Sequence, residues 1–230
     1  MGKTWEKNML AAIRIAGWQK LSLIDYPGKM AAVIFLAGCN MRCHYCHNRQ
    51  IWDVNQNQIP FNLILDELKQ RIDWLDAVVI SGGEPTMSPF LIPILRVLRE
   101  LGLFIKLDTN GTRPDLICQI VKMKLVDYVA LDIKAPVDKH VTITGFPINN
   151  VLITAQFLKT QNQVKYMFRT TLTPRLTLND LIEMGEKIIC GATCWQIQQC
   201  RIPGAYSVSE IQKMVDQLKR YALYVVVKGI

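Results

Sequence analysis

From residue 31 to residue 228, short continuous apolar runs alternate with segments whose apolar residues recur every three or four positions. The runs AAVIFLA (31–37), AVVIS (77–81), LFIKLD (103–108), DYVALDIK (127–134), VKYMFRTTL (164–172), TCWQIQQC (193–200) and LYVVVK (223–228) are short, apolar and rich in β-branched and aromatic residues, and predict strands. Helices are predicted between them. The segment 62–75 places Leu63, Leu65, Leu68, Ile72 and Leu75 near one face. The segment 90–102 is ended by Gly102 and carries Pro93 in its first turn, and 114–123 opens on Pro114. Further helices span 150–160, 178–189 behind a cap region at Thr177 and Asn179, and 208–222 behind Ser207, which pairs with Glu210 as a capping box.

Six strand–helix units and a closing strand predict a parallel sheet with right-handed crossovers. The fold class is α/β, as an open doubly wound sheet or as a partial barrel of six units, short of the eightfold closure. No linker or low-complexity stretch divides the chain. One domain over 1–230 is expected, with 1–30 as an N-terminal extension leading into the first strand.

Composition narrows the chemistry. The chain has 230 residues, half of them hydrophobic, enough to bury a large core without disulfide staples. Arg14 interrupts the apolar stretch near the start, and no run of 18 apolar residues exists, so neither a secretory leader nor a membrane span is expected. A reducing cytoplasm is the expected compartment. There the seven cysteines read as ligands or catalysts rather than cross-links. The net charge is +8, but the 27 basic residues are scattered. That pattern speaks against nucleic acid and suits an acidic protein partner.

In parallel α/β sheets, chemistry gathers at the carboxyl ends of the strands. Here those ends read GCNMRCHYCHN (38–48), SGGEPT (81–86), DTNG (108–111), LDIKAP (131–136), Arg169 with TTLTP, and QIQQCR (196–201). The first concentrates Cys39, Cys43 and Cys46 within eight residues. Gly38 helps the chain turn, and Asn40 tolerates unusual backbone angles. Three thiolates at this spacing can converge on one metal centre. Zinc would recruit His44 or His47 as a fourth ligand. An iron–sulfur cube held by three thiolates would leave one iron open. The other strand ends favour the second option. Two glycines permit close backbone approach, Glu84 offers a carboxylate to an amine, Lys134 and Arg169 offer cations to a carboxylate, and Asp108 or Asn110 could hold a ribose hydroxyl.

With these residues the sequence resembles the radical S-adenosylmethionine superfamily. CNMRCHYC matches its CxxxCxΦC signature, with Tyr45 as the aromatic residue, and SGGEP matches its GGE segment. Within that superfamily the chain resembles the activases of glycyl radical enzymes, through LSLIDYPGK (21–29), CHN (46–48), DTNG (108–111) and DIK (132–134). The nearest branch is the activating protein of anaerobic ribonucleoside-triphosphate reductase. The resemblance implies a partial (βα)6 barrel and one 4Fe–4S cluster on Cys39, Cys43 and Cys46. It also implies S-adenosylmethionine chelated to the unique iron by its amine and carboxylate. One electron then gives methionine and a 5′-deoxyadenosyl radical, which takes hydrogen from a glycine of a partner protein. By the same resemblance, Tyr45 and His47 flank the ligand and Gly82, Gly83 and Glu84 hold the amine. Asp108, Thr109 and Asn110 sit near the ribose or a monovalent cation, and Asp132, Lys134 and Arg169 near the carboxylate. One departure is visible: where related activases carry a histidine after the sixth strand, QIQQCR offers Gln198 or Gln199.

The expected partners are a glycyl radical enzyme and a flavodoxin or ferredoxin as electron donor. The rival readings are a radical enzyme acting on a small molecule and a zinc-stabilised binding module. Other polar residues read as structural: Cys118 as a core thiol, His140 as a surface residue, and His44 as solvent-facing. Cys190, Cys194 and Cys200 read as no second cluster.

Overall fold

A computed structural model of the protein describes residues 12–53, 58–200 and 206–228. The chain groups into two compact units: the first holds residues up to 40, 48–109 and 119–128, and the second holds 41–47, 110–118 and 129–230.

In the first unit, β3 (Ala31–Leu36), β5 (Ala77–Gly82) and β6 (Phe104–Thr109) pair in parallel, in the order β3-β5-β6. Ala31, Ala32, Val33 and Ile34 are all buried, as are Ala77, Val78, Val79 and Ile80. Strands covered on both faces need such unbroken apolar runs, which is why the sequence marks them so plainly. The helices Phe61–Gln70 and Leu91–Glu100 cover this layer with Phe61, Ile64, Leu65 and Leu68, and with Leu91, Ile94, Leu95 and Leu98. Tyr26, Ala31, Val33, Ala77 and Val79 form one core cluster, against which Phe35 and Tyr128 pack. Two short strands, β1 (Arg14–Ile15) and β4 (Ile59–Pro60), form a separate antiparallel bridge.

In the second unit, β8 (Lys165–Leu172), β9 (Ala192–Gln199) and β10 (Ala222–Lys228) are parallel. β7 (Tyr128–Asp132) runs into a backbone bond from Ile133 N–H to the Arg169 carbonyl, 2.9 Å. Trp195 is fully buried, and its indole N–H reaches Thr170 Oγ1 at 2.9 Å. Thr170 in turn donates to the Ile133 carbonyl at 2.8 Å, so both buried donors are satisfied. Helices Asn149–Thr160, Leu178–Met184 and Val208–Leu218 accompany these strands. Capping boxes open the last two, on Thr177 with Asp180 and on Ser207 with Glu210.

The parallel α/β class is thus as expected, and four local readings change. The N-terminal extension contains a strand, β2 (Gly17–Ser22), antiparallel to β3. The helix expected over 62–75 ends at Gln70, and Leu63 faces outward at 57% exposure. Its true apolar stripe begins at Phe61. The helix expected over 178–189 is regular only to Met184 and then widens into a π-turn, Gly185–Ile189. A short helix, His140–Thr144, occupies a stretch not assigned from the sequence. No helix among the described residues is long and apolar enough to cross a membrane.

Candidate active site

The first unit contributes the loops after β3, β5 and β6. Gly38 turns with φ +89°. Its N–H donates to the Ile51 carbonyl at 2.8 Å, and that of Cys39 to the Trp52 carbonyl at 3.3 Å. The SGGE segment lies directly on this turn. Gly83 N–H donates to the Leu36 carbonyl at 2.9 Å and Glu84 N–H to the Gly38 carbonyl at 2.7 Å. A Cβ on Gly83 would come within 2.1 Å of the Gly38 oxygen and 3.3 Å of the Cys39 Cβ. The glycine is therefore what lets this loop lie against the cysteine turn.

Glu84 is 1% exposed. Its Oε1 accepts from Thr86 N–H at 3.1 Å, Thr86 Oγ1 at 2.6 Å and Thr109 Oγ1 at 2.7 Å. Through this one oxygen the carboxylate ties the end of β5 to the end of β6. Asp108 is likewise engaged: it forms a buried ion pair with Lys106 on the same face of β6 and accepts weakly from Ser81 Oγ at 3.4 Å.

The second unit contributes residues 41–47. Arg42 N–H donates to the Thr144 carbonyl at 2.7 Å and His44 N–H to the Ile143 carbonyl at 3.4 Å, so the helix His140–Thr144 holds this segment through its last carbonyls. Cys46 N–H donates to the Cys43 carbonyl at 3.1 Å, which closes a tight turn between two thiols. Cys43 is buried, Cys46 is half-buried, and neither forms a disulfide. Tyr45 is buried, with its ring edge-on to His44 at 5.2 Å, while His47 is exposed.

Beside this segment stands a trio of charges. Asp132 Oδ2 meets Lys134 Nζ at 2.8 Å and Asp132 Oδ1 meets Arg169 Nε at 2.6 Å. Burial pushes the Asp132 carboxyl up, but the Arg169 guanidinium and the Lys134 ammonium outweigh it and hold the group well below the usual carboxylate range. Burial works against the Lys134 ammonium too, yet Asp132 drives it well above its ordinary value. Burial raises the Cys43 thiol, and Lys134 pulls it the other way. Two cations sharing one carboxylate leave the trio with a formal charge of +1. That surplus next to two thiols suits an anionic metal–thiolate group and a carboxylate ligand. The donor set of this chain, sulfur with a neighbouring cation pair, therefore fits an iron–sulfur cluster and an amino-acid carboxylate.

The remaining expectations divide. Asn110 is buried, and its Oδ1 accepts from Thr112 N–H at 3.0 Å and Thr112 Oγ1 at 2.7 Å, bonds that form a local turn. Gln198 donates to Thr171 Oγ1 and Gln199 to the Tyr206 carbonyl, each at 2.7 Å. His140 is fully buried rather than on the surface. Its Nδ1–H donates to the Phe146 carbonyl at 2.7 Å, and burial lowers its basicity. His44 is half-buried rather than solvent-facing, and Cys118 is half-buried rather than fully in the core. Cys190 is exposed, Cys194 half-buried and Cys200 buried. Among the described residues no three His, Cys, Asp or Glu side chains meet as a single metal ion would require. A cluster takes each thiolate on a different iron and does not need that convergence.

Lys106 and Thr86 carry site geometry that the sequence reading missed. Thr86 lies in the short 3-10 turn Pro85–Met87 that the Glu84 side chain caps, and Pro85 after an acid was the signal that could have found it.

Each unit thus carries polar residues at the carboxyl ends of its parallel strands, where α/β folds bind their ligands. A family model described as the radical SAM superfamily matches residues 33–188. The chain belongs to the radical SAM superfamily, grouped there with the glycyl radical enzyme activating enzymes. A protein of Methanocaldococcus jannaschii assigned as a glycyl-radical enzyme activating enzyme is 38% identical over 208 residues, 87% of this chain and 85% of that protein. The pyruvate formate-lyase-activating enzyme of Streptococcus mutans is 32% identical over 180 residues, 72% of this chain and 68% of its own. Among solved structures, Streptococcus suis SuiB bound to its precursor peptide SuiA superposes with a TM-score of 0.70 at 18% identity, covering 86% of this chain and 48% of SuiB. The chain thus spans about half the length of SuiB, and that likeness concerns the fold alone. Family membership sets aside the zinc-stabilised binding module.

Proposed function

We propose that the protein is an activase that cleaves S-adenosylmethionine reductively and installs a glycyl radical on a partner enzyme, with anaerobic ribonucleoside-triphosphate reductase as the target. The observation that carries this is the 38% identity to a glycyl-radical enzyme activating enzyme across 87% of the chain, joined to the thiol loop and GGE segment on adjacent strand ends. In this reading Cys39, Cys43 and Cys46 hold a 4Fe–4S cluster. When bound, that cluster supplies the single electron that splits the sulfonium. The chain's own groups bind and orient. Lys134 and Arg169 attract the methionine carboxylate with their surplus charge, and Asp132 fixes both cations so that neither swings away. Gly82, Gly83 and Glu84 hold the amine, and Glu84 also keeps their loop in place. Tyr45 and His47 flank the ligand, while Thr109 and Asn110 shape the wall near the ribose. Buried Tyr45 and Cys43 also keep water from the reacting carbon.

The IDYPGK segment followed by the GCNMRCHYCHN cluster supports the reductase as target. The net charge of +8 supports an acidic flavodoxin or ferredoxin as electron donor, and an odd count of seven cysteines, three of them clustered, supports a cytoplasmic setting.

The test is anaerobic reconstitution with iron and sulfide, then dithionite and S-adenosylmethionine, with and without each candidate partner. Expected are about four irons per chain, 5′-deoxyadenosine release, and a glycyl radical signal on the reductase. Cys39→Ala, Cys43→Ala and Cys46→Ala should each abolish all three. Deoxyadenosine formed with consumption of a small molecule, and no protein radical on any partner, would overturn the reading.

A further inference from the structure

Lys106 lies on β6 opposite Val79 of β5, and Val79 opposite Val33 of β3. Val33 and Val79 belong to the apolar cluster of the first unit. An ammonium on this face, 3% exposed, is costly unless an anion pairs with it. That anion is Asp108, two residues on and on the same face of the strand, with its side chain 9% exposed. Ser81 Oγ approaches the other carboxylate oxygen at 3.4 Å. The next residue, Thr109, donates to Glu84 at 2.7 Å. The ion pair therefore stands directly behind the link that ties the GGE segment to β6.

The resemblance that suggests S-adenosylmethionine also suggests a monovalent cation beside Asp108. The residues here do not fit one. The Asp108 carboxylate is already neutralised inside the protein, and a second cation would be repelled by the ammonium across a few ångströms of weakly screening interior.

We infer that Lys106 is a built-in counter-ion that does the work of a bound sodium or potassium, so that the site is complete without a monovalent cation. Lys106 is thus a positioning residue: it holds Asp108, and through the end of β6 it holds Thr109 and the Glu84 brace. The inference rests on the proposed site only for the identity of the ligand, and the Lys106–Asp108 pairing stands apart from it.

The test compares potassium, sodium and choline chlorides at one ionic strength, on the reconstituted full chain. Thermal unfolding and equilibrium binding of S-adenosylmethionine without reductant are the readouts. For the wild type, both should be the same in the three salts, within about twofold in affinity. Lys106→Ala removes the ammonium and its stem and leaves room for an ion. It should unfold at lower temperature in choline and recover in potassium or sodium, with affinity changing about tenfold between salts. Lys106→Met fills the space and should lose stability without rescue by any salt. The double variant Lys106→Met/Asp108→Asn removes both charges and should regain most of the stability. A wild type that gains stability or affinity when choline is replaced by potassium would overturn the inference. So would a Lys106→Ala protein that is indifferent to the cation. If Lys106→Ala does not fold, recovery in the double variant supports the pairing and its failure refutes it. A wild type that shows cation-indifferent unfolding but no S-adenosylmethionine binding would refute the activase reading while leaving the counter-ion intact.

Discussion

Gly83 is the position at which one added carbon should separate the two motifs. In Gly83→Ala the new Cβ meets the Gly38 oxygen at 2.1 Å and the Gly38 carbonyl carbon at 2.7 Å. Ordinary contact begins near 3.4 Å, so the loops must part by about 1.3 Å. Both neighbours are backbone, and no rotamer change relieves the clash. Parting them stretches Glu84 N–H to Gly38 O, now 2.7 Å, and Gly83 N–H to Leu36 O, now 2.9 Å. Overpacking costs about 1–3 kcal/mol, and each of the two weakened bonds adds about 1 kcal/mol, so a loss of about 3–5 kcal/mol is expected. Gly17→Ala is the matched control. Its Cβ would find only Phe35 Cδ2, at 4.0 Å, and the change should stay within about 1 kcal/mol. Urea unfolding of the metal-free chains measures both. Iron and sulfide content after reconstitution gives a second reading, because the Gly38 carbonyl immediately precedes Cys39. Equal stability and equal iron loading in Gly83→Ala and Gly17→Ala would refute the close approach described here.

Asp132→Asn should remove the carboxylate that Lys134 and Arg169 share, a loss of about 2–4 kcal/mol, below the cost of a fully buried pair because the side chains keep 15–20% exposure. Urea midpoints of the two proteins check it. The pH dependence follows from the sign of the shift. The Asp132 carboxyl is held below its unfolded value, so its stabilisation is complete above about pH 4 and is lost as pH falls further toward the native value. The Asp132→Asn protein should lack that acid-side slope, and parallel slopes in acid titrations of unfolding would contradict the assignment. Glu84→Ala should strand three buried donors and cost about 2–4 kcal/mol. Glu84→Gln keeps an acceptor oxygen and should recover at least half of that, and thermal melts of the pair decide it.

The parallel strands were legible because burial on both faces forces unbroken apolar runs, as in AAVIF and AVVIS. The thiol loop and the GGE segment were legible because their chemistry is fixed by spacing within a few residues. Three other features were not. Lys106 and Asp108 alternate with Ile105 and Leu107, a pattern that reads equally well as a solvated strand face and as a paired polar face turned inward. His140 satisfies Nδ1 on Phe146, six residues away, and a histidine with a local partner looks no different in sequence from an exposed one. The hydroxyls of Thr86 and Thr109 on Glu84 Oε1 could not be read either, because the second becomes a neighbour only when β5 and β6 pair.

The segment 41–47 is held to the end of the helix His140–Thr144 by main-chain atoms, at Arg42 and His44. Side chains at those two positions do not make these bonds, so replacements other than proline should keep them. The same two amides offer a spectroscopically quiet gauge. Their rates of exchange with deuterium in metal-free protein would tell whether the cradle is prefabricated or is assembled only as iron arrives.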